Sequence, residues 1–203
     1  DDEASRLSLM KKVMPFVLKR TKKEVLSDLP PKDEQIMTIA MNEDQRKLYD
    51  AFLQKAKNSA SAVDATKISI LAALTRLRQI CVDPKMFIEN YDADSEKLTE
   101  TIRLLKESIA GGHKVLIFSV FAKTLIHFQE TLKKNKISSY LIYGDTDAKD
   151  RLRMADSFNT KEDVKVMLVS LRAGGTGLNL IGADIVIHLD PWWNLAAENQ
   201  ASD

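Results

Sequence analysis

The chain has 203 residues, 44% of them apolar and 29% charged, and its 30 basic side chains nearly cancel 29 acidic ones. Net charge of +1 excludes a uniformly basic nucleic-acid coat, so any nucleic-acid partner must be held by a local patch. The single Cys81 allows no internal disulfide, three scattered histidines speak against a zinc site, and no apolar run approaches the roughly 18 residues of a membrane span. Together with an acidic opening, "DDEAS", unlike a signal peptide, these features predict an intracellular, metal-free protein.

The first part of the chain reads as mostly helical. "PFVLKRTKKEVLSDLPPK" (15–32) mixes a short apolar segment, a basic run and a Pro-Pro turn, and is expected to be a connector. Its "LKRTKK" (18–23) is read first as a solvated basic face and second as a track for DNA. "NEDQRKLYDAFLQKAKN" (42–58) predicts an amphipathic helix with Asn42 as N-cap, Gln45 at the capping-box position, and Leu48, Phe52 and Leu53 at helical spacing. After the small polar break "SASAVD" (59–64), "ATKISILAALTRLRQIC" (65–81) sets Ile68, Leu71, Leu74 and Leu77 on one face, expected to be buried, and Pro84 stops it.

Near residue 94 the pattern changes. "SEKLTETIRLLKESIAGG" has a Ser cap and a Gly-Gly stop, after which short apolar runs "KVLIFS", "ISSYLIY", "VKVMLVS" and "ADIVIHLD" alternate with helices "AKTLIHFQETLKKN" and "AKDRLRMADSFN" or with loops. Such runs, rich in β-branched residues, predict an α/β fold, a parallel sheet with helices on both faces. Ligands of such sheets lie at the carboxyl ends of the strands. There the sequence places Ser119, then Gly144-Asp145-Thr146, then "SLRAGGTGLNL" (170–180), then "DPWWN" (190–194).

Three of the seven glycines fall in "SLRAGGTGLNL". Glycines allow backbone N–H groups to approach an anion, and Thr176 adds a hydroxyl donor, so a phosphate is one expected guest; a tight structural loop is the other. "AGGHK" (110–114) lacks phosphate-loop spacing and precedes a strand, and reads as a helix C-cap.

"KVLIFSVF", "VMLVSLRAGGTGLNLIGADIVIHLDPWWN" and "AAENQASD" closely resemble motifs IV and V and the opening of motif VI in the second motor lobe of Swi/Snf-type ATPases of helicase superfamily two. "MPFVLKRTKKEVLSDLPPK" resembles the segment joining the two lobes in that family, and the helices between 42 and 82 match its inserted helical protrusion in position. One departure is Leu195, where the family usually has proline. The resemblance implies an interlobe linker and helical protrusion over 1–94 and a RecA-like second lobe over 95–203, ending within motif VI. It implies a DNA-dependent ATPase that moves along double-stranded DNA and closes on ATP and Mg2+ held mainly by a first lobe. Neither a G-x-x-x-x-G-K-[ST] loop nor a strand-borne Asp-Glu pair occurs here, so this chain alone is expected to be inactive.

Residue by residue, the resemblance implies that Gly174, Gly175 and Thr176 face the DNA backbone, with Gly177, Asn179 and Gln200 toward the ATP-bearing interlobe cleft. Arg172 is a candidate phosphate contact, or a solvated surface arginine. Ser119 and Thr146 are candidate hydroxyl donors to the same DNA strand, or helix caps. Trp193 resembles the aromatic the family sets against the DNA groove, while Trp192 and His188 read as packing. Implied partners are duplex DNA, the first lobe and a DNA-bound protein target, with no membrane, in a nucleoid, cytoplasm or nucleus. Two alternatives stand beside this: a non-catalytic nucleic-acid or protein-docking module, and an RNA-directed superfamily-two helicase lobe.

Overall fold

The computed structural model describes residues 2–17, 33–60, 66–174 and 178–193, and these fall into two compact units, 1–38 and 39–203. The first unit carries α1 (Asp2–Val13), continued by a 3₁₀ turn at Met14–Phe16. No strand forms from the acidic opening; Leu7, Leu9 and Phe16 are all exposed.

The second unit begins with α2 (Glu43–Ala60) and α3 (Lys67–Val82), followed by a 3₁₀ turn at Pro84–Met86. Then come α4 (Glu96–Ala110), β1 (Val115–Ser119), α5 (Ala122–Lys134), β2 (Ser139–Ile142), α6 (Ala148–Thr160), β3 (Val166–Ser170), a four-residue α7 (Leu171–Gly174) and β4 (Ile185–His188). All pairings are parallel and the strand order is β2-β3-β1-β4. The α/β architecture expected from the alternating apolar runs is therefore present.

The runs in β1 and β3 are apolar at nearly every position because the sheet is covered twice. Val115, Ile117, Val166 and Leu168 pack on one face with Leu105 of α4 and Leu125, Phe128 and Leu132 of α5. Leu116, Phe118, Met167 and Val169 pack on the other with Phe158 of α6, Ala173, and the half-buried Leu178 and Leu180 of the glycine-rich stretch. Chain leaving β1 thus goes to one face and chain leaving β3 to the other. Register pairs Ser119 with Ser170, so a topological switch point lies between their carboxyl ends, where parallel sheets form their ligand crevices.

Several local expectations need correction. Asn42 does cap α2, its Oδ1 accepting from Gln45 N at 2.9 Å, but Gln45 does not complete a capping box. Its side chain, 1% exposed, turns inward and donates to Ile80 O at 2.6 Å, a buried carbonyl stronger in its claim than a solvated cap. The reciprocal box belongs to α3, between Thr66 and Ser69. Ser95 sits at the N-cap of α4 without a side-chain cap; its Oγ donates to Val82 O at 2.6 Å and ties α4 to the end of α3. The predicted buried stripe of α3 survives only at its end: Leu77, Ile80 and Val82 are buried, whereas Ile68, Leu71 and Leu74 are exposed. The break predicted at 59–64 lies mostly outside the described residues, and α2 runs to Ala60. Gly111 is the C-cap of α4 and Gly112 has φ of 87°, a left-handed position that suits glycine, as the "AGG" reading expects.

Candidate nucleic-acid interface at the carboxyl edge of the sheet

Parallel pairing brings the ends of all four strands to one edge, and each predicted segment can be followed there. After β1, Ser119 is wholly buried. Its hydroxyl donates to Asp190 Oδ2 at 2.5 Å and its oxygen accepts from Phe121 N at 3.0 Å. Asp190 Oδ1 also accepts from Val120 N at 2.9 Å. The expectation that Ser119 offers a free hydroxyl to DNA is thus corrected: its polar atoms are spent locking the end of β1 to the segment after β4. Burial pushes the Asp190 carboxyl above its ordinary range, opposed by the Ser119 hydroxyl, the Val120 N–H and the positive field of Arg78 and Lys97.

After β2, Thr146 is half-buried and turns the chain: its N donates to Tyr143 O at 3.1 Å and its Oγ1 accepts from Tyr143 N at 3.0 Å, leaving the hydroxyl proton available. Arg151 of α6 clamps this turn, donating to the carbonyls of Thr146, Tyr143 and Gly144 at 2.8, 3.1 and 2.9 Å. Asp147 caps α6 by accepting from Lys149 N at 2.8 Å.

After β3 the quoted stretch does not loop at once. Leu171–Gly174 forms a helical turn with Ala173 buried and Arg172 exposed at the edge. Gly175, Thr176, Gly177 and Gln200 lie outside the described residues. Beyond them Leu178 and Leu180 face inward and Asn179 is exposed. The segment is pinned by Asn159 at the end of α6, which the sequence reading did not single out. Asn159 Nδ2 donates to Asn179 O at 2.8 Å and its Oδ1 accepts from Gly182 N at 2.9 Å. Gly182 is held so close that an added Cβ would lie 2.9 Å from Asn159 Cα and 3.2 Å from Phe158 O, both backbone atoms. Gly182→Ala should therefore cost about 1–3 kcal/mol by overpacking, read as a lower urea midpoint with an unchanged slope.

After β4, Trp192 and Trp193 do not divide into one packed and one free ring by strand alternation. The rings stack on each other, centroids 6.3 Å apart and planes 7° apart, because β4 ends at His188 and the alternating pleat ends with it. Trp193 is 60% exposed and Trp192 half-buried. His188 packs as expected, its ring stacked on Phe118 at 5.5 Å.

A residue far away in sequence completes this corner. Arg78 of α3 donates to Pro191 O, lies 4.0 Å from Asp190 Oδ1, and carries its guanidinium 5.6, 5.7 and 5.1 Å from the ring centres of Phe121, Trp192 and Trp193. No local sequence signal marks it; it reads simply as one polar position of an amphipathic helix. Among the described residues no group of three His, Cys, Asp or Glu side chains is placed to hold a metal, and no helix is long and apolar enough to cross a membrane.

Comparison with known proteins agrees with this edge. Residues 96–203 match the helicase conserved C-terminal domain and residues 1–86 the SNF2-related domain. The chain is 36% identical over 203 residues to an uncharacterized ATP-dependent helicase of Mycoplasma genitalium, covering 100% of this chain and 20% of that protein. It is 32% identical over 206 residues to the ISWI chromatin-remodeling complex ATPase of Saccharomyces cerevisiae, covering 94% of this chain and 18% of that protein. The chain thus spans about a fifth of the length of these curated relatives. Among solved structures, the Sulfolobus solfataricus SWI2/SNF2 ATPase core domain superimposes with a TM-score of 0.76 at 28% identity, over 100% of this chain and 43% of that one. The same core in complex with double-stranded DNA gives 0.76 at 27%, over 95% and 43%. The fold is accordingly the RecA-like one of these ATPases, and the chain belongs to the SNF2 family, carrying its helicase conserved C-terminal domain.

Proposed function

We propose that this chain is the second motor lobe of an ATP-dependent double-stranded DNA translocase or remodelling ATPase. Residues 1–94 serve as interlobe linker and helical protrusion, and 95–203 as the lobe that grips the DNA backbone. The observation that supports this best is the exposed Trp193 at the carboxyl edge, braced by Trp192, on the same edge as Arg172 and the Thr146 turn. An indole so presented can wedge against a groove wall, while a guanidinium and a hydroxyl hold phosphates without reading bases. The likeness to a core solved with double-stranded DNA favours the duplex as ligand.

In this reading Thr146, Arg172, Gly174, Gly175, Thr176 and Trp193 meet DNA. Gly177, Asn179 and Gln200 approach the cleft that closes on ATP. Ser119 acts one step back, through Asp190. Mg2+ and most contacts to ATP come from the first lobe, since the described residues offer no carboxylate cluster for a metal. When bound, the nucleotide supplies the phosphoryl group whose transfer drives lobe closure. Partners are then duplex DNA, the first lobe and a DNA-bound protein, in a nucleoid or nucleus. Turnover by this chain alone should be absent.

The test is the ATPase activity of the full-length protein with duplex DNA, single-stranded DNA and RNA compared. Stimulation by duplex alone is expected. Equal stimulation by RNA would favour an RNA-directed lobe, and stimulation by none would favour a docking module.

A further inference from the structure

We propose that Arg78 is a positioning residue for the tryptophan pair, linking the helical protrusion to the DNA-facing corner; the proposal rests on the reading of Trp193 as a DNA contact. Arg78 stands 113 positions before the carbonyl it bonds, Pro191 O, and is mostly buried. Its guanidinium meets three aromatic rings, Phe121, Trp192 and Trp193, together with the carbonyl of Pro191 and the carboxylate of Asp190. Asp190 in turn holds Ser119 and Val120, and Ser119 holds Phe121. One planar cation therefore ties α3, the end of β1 and the segment after β4 into a single network.

This arrangement is more than a surface ion pair. A planar guanidinium can stack on rings and bond a carbonyl in its own plane at once, which an ammonium cannot. Trp193 lies past the end of β4 and is largely exposed, so the sheet ladder does not fix its ring. Stacking on Trp192 and the cation beside both rings do so instead. A shift of α3 would move Arg78 and with it the indole, so anything pressing on the protrusion would be felt at the groove.

Trp192 and Trp193 are the chain's two tryptophans, so its near-ultraviolet indole dichroism reports this pair. Arg78→Met, which keeps the stem and removes the fork, should abolish the tryptophan dichroism while the far-ultraviolet spectrum stays. In the full-length enzyme the same change should raise the ATP hydrolysed per triplex displaced roughly tenfold, the scale of one lost cation–π contact and one lost charge-assisted bond. Arg78→Lys, with charge but no fork, should restore part of both. Unchanged dichroism in Arg78→Met would overturn the role of Arg78 and leave Trp193 untouched. Lost dichroism with unchanged displacement would overturn Trp193 as a DNA contact, and the role of Arg78 with it. Should Arg78→Met fail to fold, Arg78→Lys is read by the same two measurements: full wild-type values in both would overturn the proposal.

Discussion

Asp190→Ala should lower the stability of this chain by about 3–5 kcal/mol, the cost of removing one partner from a buried charged network. The carboxylate is 2% exposed and holds the Ser119 hydroxyl at 2.5 Å and Val120 N at 2.9 Å. Alanine would leave both donors buried without an acceptor and would strip Arg78 of its counter-charge. Asp190→Asn keeps the shape and one acceptor and should cost less, and the two proteins should part with pH. Because burial raises the folded-state carboxyl above its ordinary value, the contribution of Asp190 is fully present below that ordinary value. It is lost as pH rises through the raised one. Wild type should therefore lose stability relative to Asp190→Asn on climbing out of the ordinary carboxylate range. Urea midpoints for both proteins at stepped pH check this, and parallel curves would remove the carboxylate from the account.

What could be read from the sequence, and what could not, follows from the range of the interactions. The strands were legible because a doubly covered parallel sheet demands apolar residues at consecutive positions, as in Val166–Ser170. The Gly111-Gly112 stop was legible because a left-handed backbone position favours glycine at once and locally. Legibility failed where a side chain had a distant partner to choose instead of a near one. Gln45 prefers a carbonyl 35 positions on, and Ser119 a carboxylate 71 positions on. Arg78, Asn159 and Arg151, which set the corner, the glycine-rich segment and the Thr146 turn, sit on helices whose own pattern is satisfied without them. The family motifs found the edge and most of its exposed residues, whereas the residues that hold the edge in place come from outside the motifs.

Trp193 carries the other large effect. In the full-length enzyme, Trp193→Ala should leave the melting temperature nearly unchanged, keep much of the ATPase activity, and severely reduce translocation measured by triplex displacement. The ring is 60% exposed, so its removal opens no core cavity of the kind that costs about 3–5 kcal/mol. Its loss from the stack with Trp192 removes at most a pair contact worth about 1 kcal/mol. Affinity for DNA should fall modestly, by about 1–3 kcal/mol as for other aromatics set against nucleic acid. Coupling should fall much further, since a wedge that resists back-slippage matters in every cycle while contributing only part of the grip. Trp193→Phe, smaller but still able to stack on Trp192, should recover displacement in part. The two adjacent indoles also make a sharper comparison possible. Trp192 is the half-buried member and lies beside Arg78, so Trp192→Ala should lower the melting temperature and disturb coupling together. Trp193→Ala should separate the two. A large drop in melting temperature for Trp193→Ala, or displacement at the wild-type rate, would show that its ring is a packing element and that some other group on this edge grips the groove.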